Sequence, residues 1–250
     1  MPTAVFEFPL NEKVRTYLRL EQLFKQLCQW KELNHDWQYI GYLESFFTLV
    51  DLLERIDIRT DILKDIDAHE RNLVHWSQHP QIDNDALQTT LRRIVKLRDQ
   101  LKSARKLGSG LKDDKFLAAI RQRFAIPGAN CSFDLPSLHY WLNQPQQIIH
   151  ADIKRWMDEF SLVNQAIDIT LSFLRERGRL ATTVAEKGFY QDVADSRCEL
   201  IRIECDVAQG YYPVLSGNKH RYAIRFMRFN PDQDGVLTEE NSVTFKQACC

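Results

Sequence analysis

Ile201-Arg202-Ile203-Glu204-Cys205-Asp206-Val207 is the stretch that decides the fold. Its apolar residues fall at every second position with charged residues between them, the pattern of a strand buried on one face. Gln209-Gly210 and Ser216-Gly217-Asn218 follow as turn signals. Tyr222, Ile224 and Phe226 then alternate against Arg221, Ala223, Arg225 and Met227, and Val243 with Phe245 supply one more short strand. Upstream of Gly178 the period is different. Val14, Tyr17, Leu20, Phe24 and Leu27 recur at steps of three and four, with Arg15, Arg19, Gln22, Gln26 and Gln29 on another face. That spacing predicts an amphipathic helix beginning at Glu12, with Asn11 as its N-cap.

The helical period persists to the end of this region. Trp37 to about Arg55 carries Ile40, Leu43, Phe47, Val50 and Leu53, and Asp57 to Trp76 carries Ile62, Ile66 and Leu73. After a break at His79-Pro80, Leu87, Leu91, Ile94 and Leu101 mark another helix, closed by Gly108-Ser109-Gly110. Asp113 or Asp114 can cap a helix that turns Phe116, Leu117, Ile120 and Phe124 inward. Pro136 opens a short helix to Leu142, and two more fill 146–160 and 162–177. At the other end, residues 3–8 alternate as a strand with no early partner, which most economically joins the late sheet. The expected fold is therefore α+β: a helical domain over 9–178, followed by a β-rich domain over 183–250 that takes in strand 3–8.

Nine glycines and eight prolines in 250 residues are few, as expected for long helices with short connections. Hydrophobic residues at 44% and charged residues at 27% are those of a soluble globular chain and exclude collagen-like and disordered classes. The first nine residues lack a basic segment followed by a long apolar one, so no signal peptide is expected. No apolar run is long enough to span a bilayer. Six cysteines without a C-x-x-C pair fit reduced thiols in the cytosol, with Cys249-Cys250 a packed or frayed tail. The net charge of −1 excludes polyanion binding by bulk charge, but it hides two opposed fields. Residues 36–85 hold eleven acids and four bases, and residues 91–123 hold eleven bases and three acids. Either these faces complement one another in the fold, or the 91–123 segment is a basic surface for nucleic acid.

Chemistry-bearing patterns are sparse. Asn230-x-Asp232-x-Asp234-Gly235 resembles the first half of a calcium loop, but its twelfth position is Asn241 instead of glutamate, and a turn between strands explains Asp-Gly equally well. His75-x-x-x-His79 has no glutamate or cysteine to complete a zinc set. Cys131 with His139 is a conceivable thiol–imidazole pair, at a spacing that chance supplies often. No Walker loop, G-x-S-x-G or G-x-G-x-x-G is present. No catalytic group, metal or cofactor is therefore expected. What remains is binding: Lys219, His220, Arg221, Arg225 and Arg228 crowd ten residues with no acid among them, and Arg221 and Arg225 share one strand face. Charge that guards a sheet edge against aggregation and a surface for an anionic partner both account for such a cluster.

Several stretches carry a family resemblance. Pro9-Leu10-Asn11-Glu12-Lys13-Val14-Arg15-Thr16-Tyr17-Leu18-Arg19-Leu20-Glu21 resembles the start of the ZapD family, the Z-ring-associated proteins D of bacterial division. So do Arg121-Gln122-Arg123-Phe124-Ala125-Ile126-Pro127-Gly128 on through Cys131-Ser132-Phe133-Asp134-Leu135-Pro136 to His139, Gly188-Phe189-Tyr190-Gln191-Asp192, and Ser216-Gly217 with Arg221-Tyr222-Ala223-Ile224-Arg225-Phe226-Met227. The terminal Ala248-Cys249-Cys250 agrees too, and the match is colinear along the chain. The resemblance implies a cytoplasmic, non-enzymatic homodimer recruited to mid-cell, which binds the C-terminal tail of the tubulin-like GTPase FtsZ and cross-links its filaments. It implies tail binding without membrane, nucleic acid or cofactor. Self-association is expected through the helical domain, which supplies most of the apolar stripes and surplus aromatics such as Phe46, Phe47 and Trp76, and tail binding through the β-rich one. The basic positions it carries over as partner-binding are Arg19, Arg55, Arg59, Lys115, His139, Arg221 and Arg225. Lys115 departs in kind, because the family pattern has arginine there and lysine lacks the bidentate fork.

Overall fold

The computed structural model describes residues 3–76, 84–104, 108–228, 237–238 and 241–250. The chain divides into two compact units, one of residues 19–170 and one of residues 1–18 with 171–250, so the boundaries fall inside two helices. No described helix is long and apolar enough to cross a membrane.

Eight α-helices occur among the described residues: α1 (Glu12–Leu27), α2 (Asp36–Arg55), α3 (Ile58–Trp76), α4 (Asn84–Ser103), α5 (Lys115–Phe124), α6 (Pro136–Leu142), α7 (Gln146–Asp158) and α8 (Ser161–Arg177). Their starts are where the capping chemistry puts them. Asn11 Oδ1 accepts from the Val14 amide at 2.8 Å, and Asp114 Oδ1 from the Leu117 amide at 3.0 Å. Asp114 is also a hub, since its other oxygen accepts from Trp156 Nε1 at 2.9 Å and pairs with Arg155 at 3.1 Å. Burial pushes the Asp114 carboxyl up, but these donors outweigh it and hold the group below the ordinary carboxylate range. The core of the helical unit is aromatic: Phe46 is fully buried, with ring contacts to Tyr42, Phe47, Trp156 and Phe160 at about 6 Å. Gly108 adopts φ +68°, and a side chain there would press on the Phe160 ring.

The opposed charge fields meet inside this unit. Arg121 of α5 holds Asp51 and Glu54 of α2, with Nη2 2.7 Å from Glu54, and Arg98 of α4 pairs with Glu70 of α3. Hydrogen bonding to Glu54 is the main force raising the Arg121 pKa. At these pairs the acidic and basic segments complement each other, as the first of the two sequence readings has it.

The second unit is built on strands β1 (Thr3–Pro9), β2 (Ala181–Ala185), β3 (Phe189–Val193), β4 (Leu200–Asp206), β5 (Tyr211–Gly217), β6 (Arg221–Arg228), β7 (Leu237–Thr238) and β8 (Val243–Cys249). They form two antiparallel sheets instead of one. The first has the order β1-β4-β8-β2, and the second β3-β6-β5 with β7 also on β6. Strand 3–8 joins the late sheet as expected, its Phe6 paired with Ile203 in β4. On its other face Glu7 accepts from Arg175 Nε and Nη2 at 2.8 and 2.7 Å and from Arg202 Nε at 3.1 Å. The inward faces make one core of Ile201, Ile203, Tyr222, Ile224, Phe226, Val243 and Phe245. Above it Tyr222 Oη donates to Gln247 Oε1 at 3.2 Å, and Gln247 Nε2 donates to Tyr190 Oη at 3.0 Å, tying the second sheet to the first.

The crossing between sheets is a two-residue turn. Lys187 (φ 50°) and Gly188 (φ 65°) are both left-handed, and the Phe189 amide closes the turn on Glu186 at 3.0 Å. One cysteine expectation needs correction, and of the two alternatives for the tail the structure shows the packed one. Cys198 and Cys249 are joined as a disulfide, with Cα atoms 5.5 Å apart, so not all thiols are reduced. The tail is packed and not frayed, because Cys250 is buried and its backbone exchanges hydrogen bonds with Leu200.

Candidate peptide-binding face

The alternation that builds β6 sorts its residues in two. Tyr222, Ile224 and Phe226 are buried in the core, while Arg221 and Arg225 are exposed and Ala223 lies between them half-buried. The two guanidinium-bearing positions stand four residues apart on one face, about 13 Å along the strand. The Asn218 side chain fixes the hairpin before them, accepting from the His220 amide at 2.9 Å and the Arg221 amide at 3.3 Å. Gly217 is required there, since a Cβ would lie 2.7 Å from the Arg221 carbonyl oxygen.

The register supplies neighbours that the sequence reading did not. On one side Phe189 pairs with Arg225, Gln191 with Ala223 and Val193 with Arg221. On the other, Val214 pairs with Arg225 and Ser216 with Ala223. Directly opposed residues of an antiparallel pair share a face, so the two arginines stand among exposed apolar side chains: Val193 is 77% exposed, Val214 47% and Phe189 39%. The Arg225 guanidinium carbon sits 5.9 Å from the Phe189 ring centre. Small Ala223 and Ser216 leave a depression of ≈ 580 Å³ beside Arg221, bordered by Gln191, Val193 and Asn218. Among the described residues neither arginine pairs with a carboxylate. The sequence signal for Phe189 and Val193 was weak, because a five-residue strand after a turn at Lys-Gly shows too little alternation to stand out.

The other five carried-over positions lie on the helical unit. Arg19 of α1, Arg55 at the end of α2, Lys115 at the start of α5 and His139 of α6 are exposed. Arg55 and Arg59 line one cleft of ≈ 460 Å³ at the α2–α3 junction. Arg59 is engaged: its guanidinium donates to the carbonyls of Ala104 at 2.9 Å and Lys102 at 2.6 Å, closing the C-terminal end of α4.

The conceivable thiol–imidazole pair is not formed. Cys131 Sγ is 3.2 Å from Asp134 Oδ2, and His139 engages through its backbone. Nine of the twelve residues of the calcium-like run at 230–241 lie outside the described residues, as does His79. Among the described residues no group of three metal-ligating side chains occurs.

A cationic strand face set with exposed aliphatic and aromatic side chains, in a chain of a helical unit and a two-sheet unit, is the candidate binding surface of an α+β protein. The chain matches the model of a family described as "ZapD: Cell division protein" over residues 18–225. It is 38% identical over 252 residues to the cell division protein ZapD of Pectobacterium carotovorum subsp. carotovorum (strain PC1), covering 99% of this chain and 98% of that one. Its identity to the ZapD proteins of Shewanella sp. (strain MR-7) and of Photobacterium profundum is 38% and 36% over 250 residues, covering both chains fully. The chain belongs to the ZapD family of cell division proteins.

Proposed function

We propose that this cell division protein is a non-enzymatic factor that binds the C-terminal tail of FtsZ and cross-links its filaments, promoting Z-ring assembly. The observation that carries this reading is the outer face of β6, where Arg221 and Arg225 point to solvent without a carboxylate partner among the described residues and are flanked by exposed Phe189, Val193 and Val214. Such a face suits a short tail that carries carboxylates and an aliphatic or aromatic anchor. On the helical unit, Arg19, Arg55, Arg59, Lys115 and His139 are further partner-binding positions, Arg55 and Arg59 sharing one cleft. A homodimer formed through the helical unit presents two tail sites on one body, the minimum for bridging two filaments. The protein acts in the cytoplasm, recruited to the division site at mid-cell, and needs no cofactor, membrane or nucleic acid.

Co-sedimentation with GTP-assembled FtsZ, with and without its C-terminal tail, tests the reading. Pelleting that disappears with the tail is expected. Pelleting that persists without the tail moves the contact elsewhere on FtsZ.

A further inference from the structure

The hydrogen-bond phase of the second sheet leaves one strand edge open beside the arginines. The Ala194 amide bonds the His220 carbonyl and the Phe226 amide bonds the Gly188 carbonyl, so even-numbered residues of β3 face β6. The odd-numbered ones, Phe189, Gln191 and Val193, direct their backbone groups to the other side. There the Phe189 amide is taken by Glu186 and the Val193 amide by the Asp192 carboxylate. Gln191 N–H, Gln191 C=O and Val193 C=O meet no strand among the described residues. The opposite edge differs. The Asn218 amide bonds the Arg221 carbonyl, so in β5 the odd-numbered residues face outward, and Pro213 is one of them. That proline removes the central donor and guards the edge against pairing. The β3 edge carries no proline, and it is blunted only at its ends, by the Glu186–Phe189 bridge and by the Asp192 carboxylate, which leaves Gln191 open between them.

We infer that the partner segment adds to the β3 edge as an extended strand, with Gln191 as its central pairing residue. This inference rests on the tail-binding reading. Charge and geometry favour an acidic occupant. Side chains of an added strand that stand beside Phe189 and Val193 lie on the arginine face, roughly 10 Å or two strand spacings from β6. Arg225 already leans toward that side, over the Phe189 ring. Backbone pairing supplies affinity, and alternate side chains meeting Phe189, Val193 and Arg225 supply selectivity.

The test is a backbone N-methyl scan of a synthetic peptide with the FtsZ tail sequence, measured by fluorescence anisotropy against the full-length protein. Strand addition predicts a period of two. Methylation should weaken binding about tenfold or more at alternate residues, where a hydrogen bond to the edge is lost, and little at those between. Gln191→Pro should weaken the unmodified peptide similarly while the melting temperature holds. A flat scan with binding still lost in Arg225→Glu overturns strand addition and leaves tail binding on the β6 face intact. No binding of the unmodified peptide, or binding indifferent to Arg225→Glu, overturns the tail-site reading and this inference with it.

Discussion

The helical unit and the sheet unit use their cations differently. In the helical unit Arg121, Arg98 and Arg59 are engaged by Asp51 and Glu54, by Glu70, and by the last carbonyls of α4. On β6 of the sheet unit, Arg221 and Arg225 meet no described carboxylate. The 91–123 segment is by far the more basic in sequence, but at Arg98 and Arg121 its charge is consumed inside the fold. Local charge density therefore marks a helix–helix contact in one region and an unpaired, exposed strand face, the proposed binding face, in the other. What separates them is whether a complementary acid is built opposite, and only tertiary structure decides that.

The aromatic residues divide the same way, and the largest expected effect follows. Phe46 and Phe47 read in sequence as surplus apolar surface for self-association, but both are buried in the core of the helical unit. Phe46→Ala should cost about 3–5 kcal/mol in urea unfolding, the range for a deleted core phenylalanine. A loss under 1 kcal/mol with a weakened dimer would restore Phe46 to an interface. Next in size is Asp114→Ala, which removes a helix cap and leaves Trp156 Nε1 without its acceptor. About 2–3 kcal/mol is expected from those two losses. The sign with pH follows from the lowered Asp114 pKa. Its contribution is present above the unfolded-state carboxylate value and disappears as pH falls through the folded one. Asp114→Asn should flatten that part of the acid limb in a plot of unfolding free energy against pH.

Much of the fold was legible because period and caps agreed. Asn11, Asp114 and Pro136 start their helices as read, and the change of period after Gly178 falls between α8 and β2. The second sheet was not legible as separate. β2 and β3 are five residues each, and the turn that splits them between sheets depends on Lys187 accepting a left-handed conformation, which lysine does not advertise. The Cys198–Cys249 pairing was hidden by 51 residues of separation. Within the site, Arg221 and Arg225 could be read from alternation alone. Phe189, Val193 and Val214 could not, because strand register brings them there.

On the proposed binding face, Arg221→Glu with Arg225→Glu should weaken tail binding at least about tenfold, or ~1.4 kcal/mol, and abolish filament bundling. Dimerisation and helix content should be unchanged, since the opposite strand face carries the packing. Equilibrium binding of a labelled tail peptide, with sedimentation to monitor the dimer, reads both. A folded double variant that bundles filaments at wild-type concentrations would remove the functional half of the comparison.

The smallest effect is expected at the paired cation, Arg121→Gln. Its side chain is 34% exposed and both carboxylates it holds are 45% exposed, so water screens the attraction. Exposed pairs of this kind contribute about 0.2–1 kcal/mol. Removing the guanidinium also leaves Asp51 and Glu54 one turn apart on α2 with nothing between their charges, a repulsion of a few tenths, roughly 0.2–0.5 kcal/mol. Together these predict a loss of about 1 kcal/mol in urea unfolding, shrinking further in high salt. Tail affinity should not move, because Arg121 is already committed to acids of its own chain. A tenfold loss of tail affinity in Arg121→Gln, with stability intact, would mean that a cation engaged at home also serves the partner. The distinction between spent and available charge would then fail.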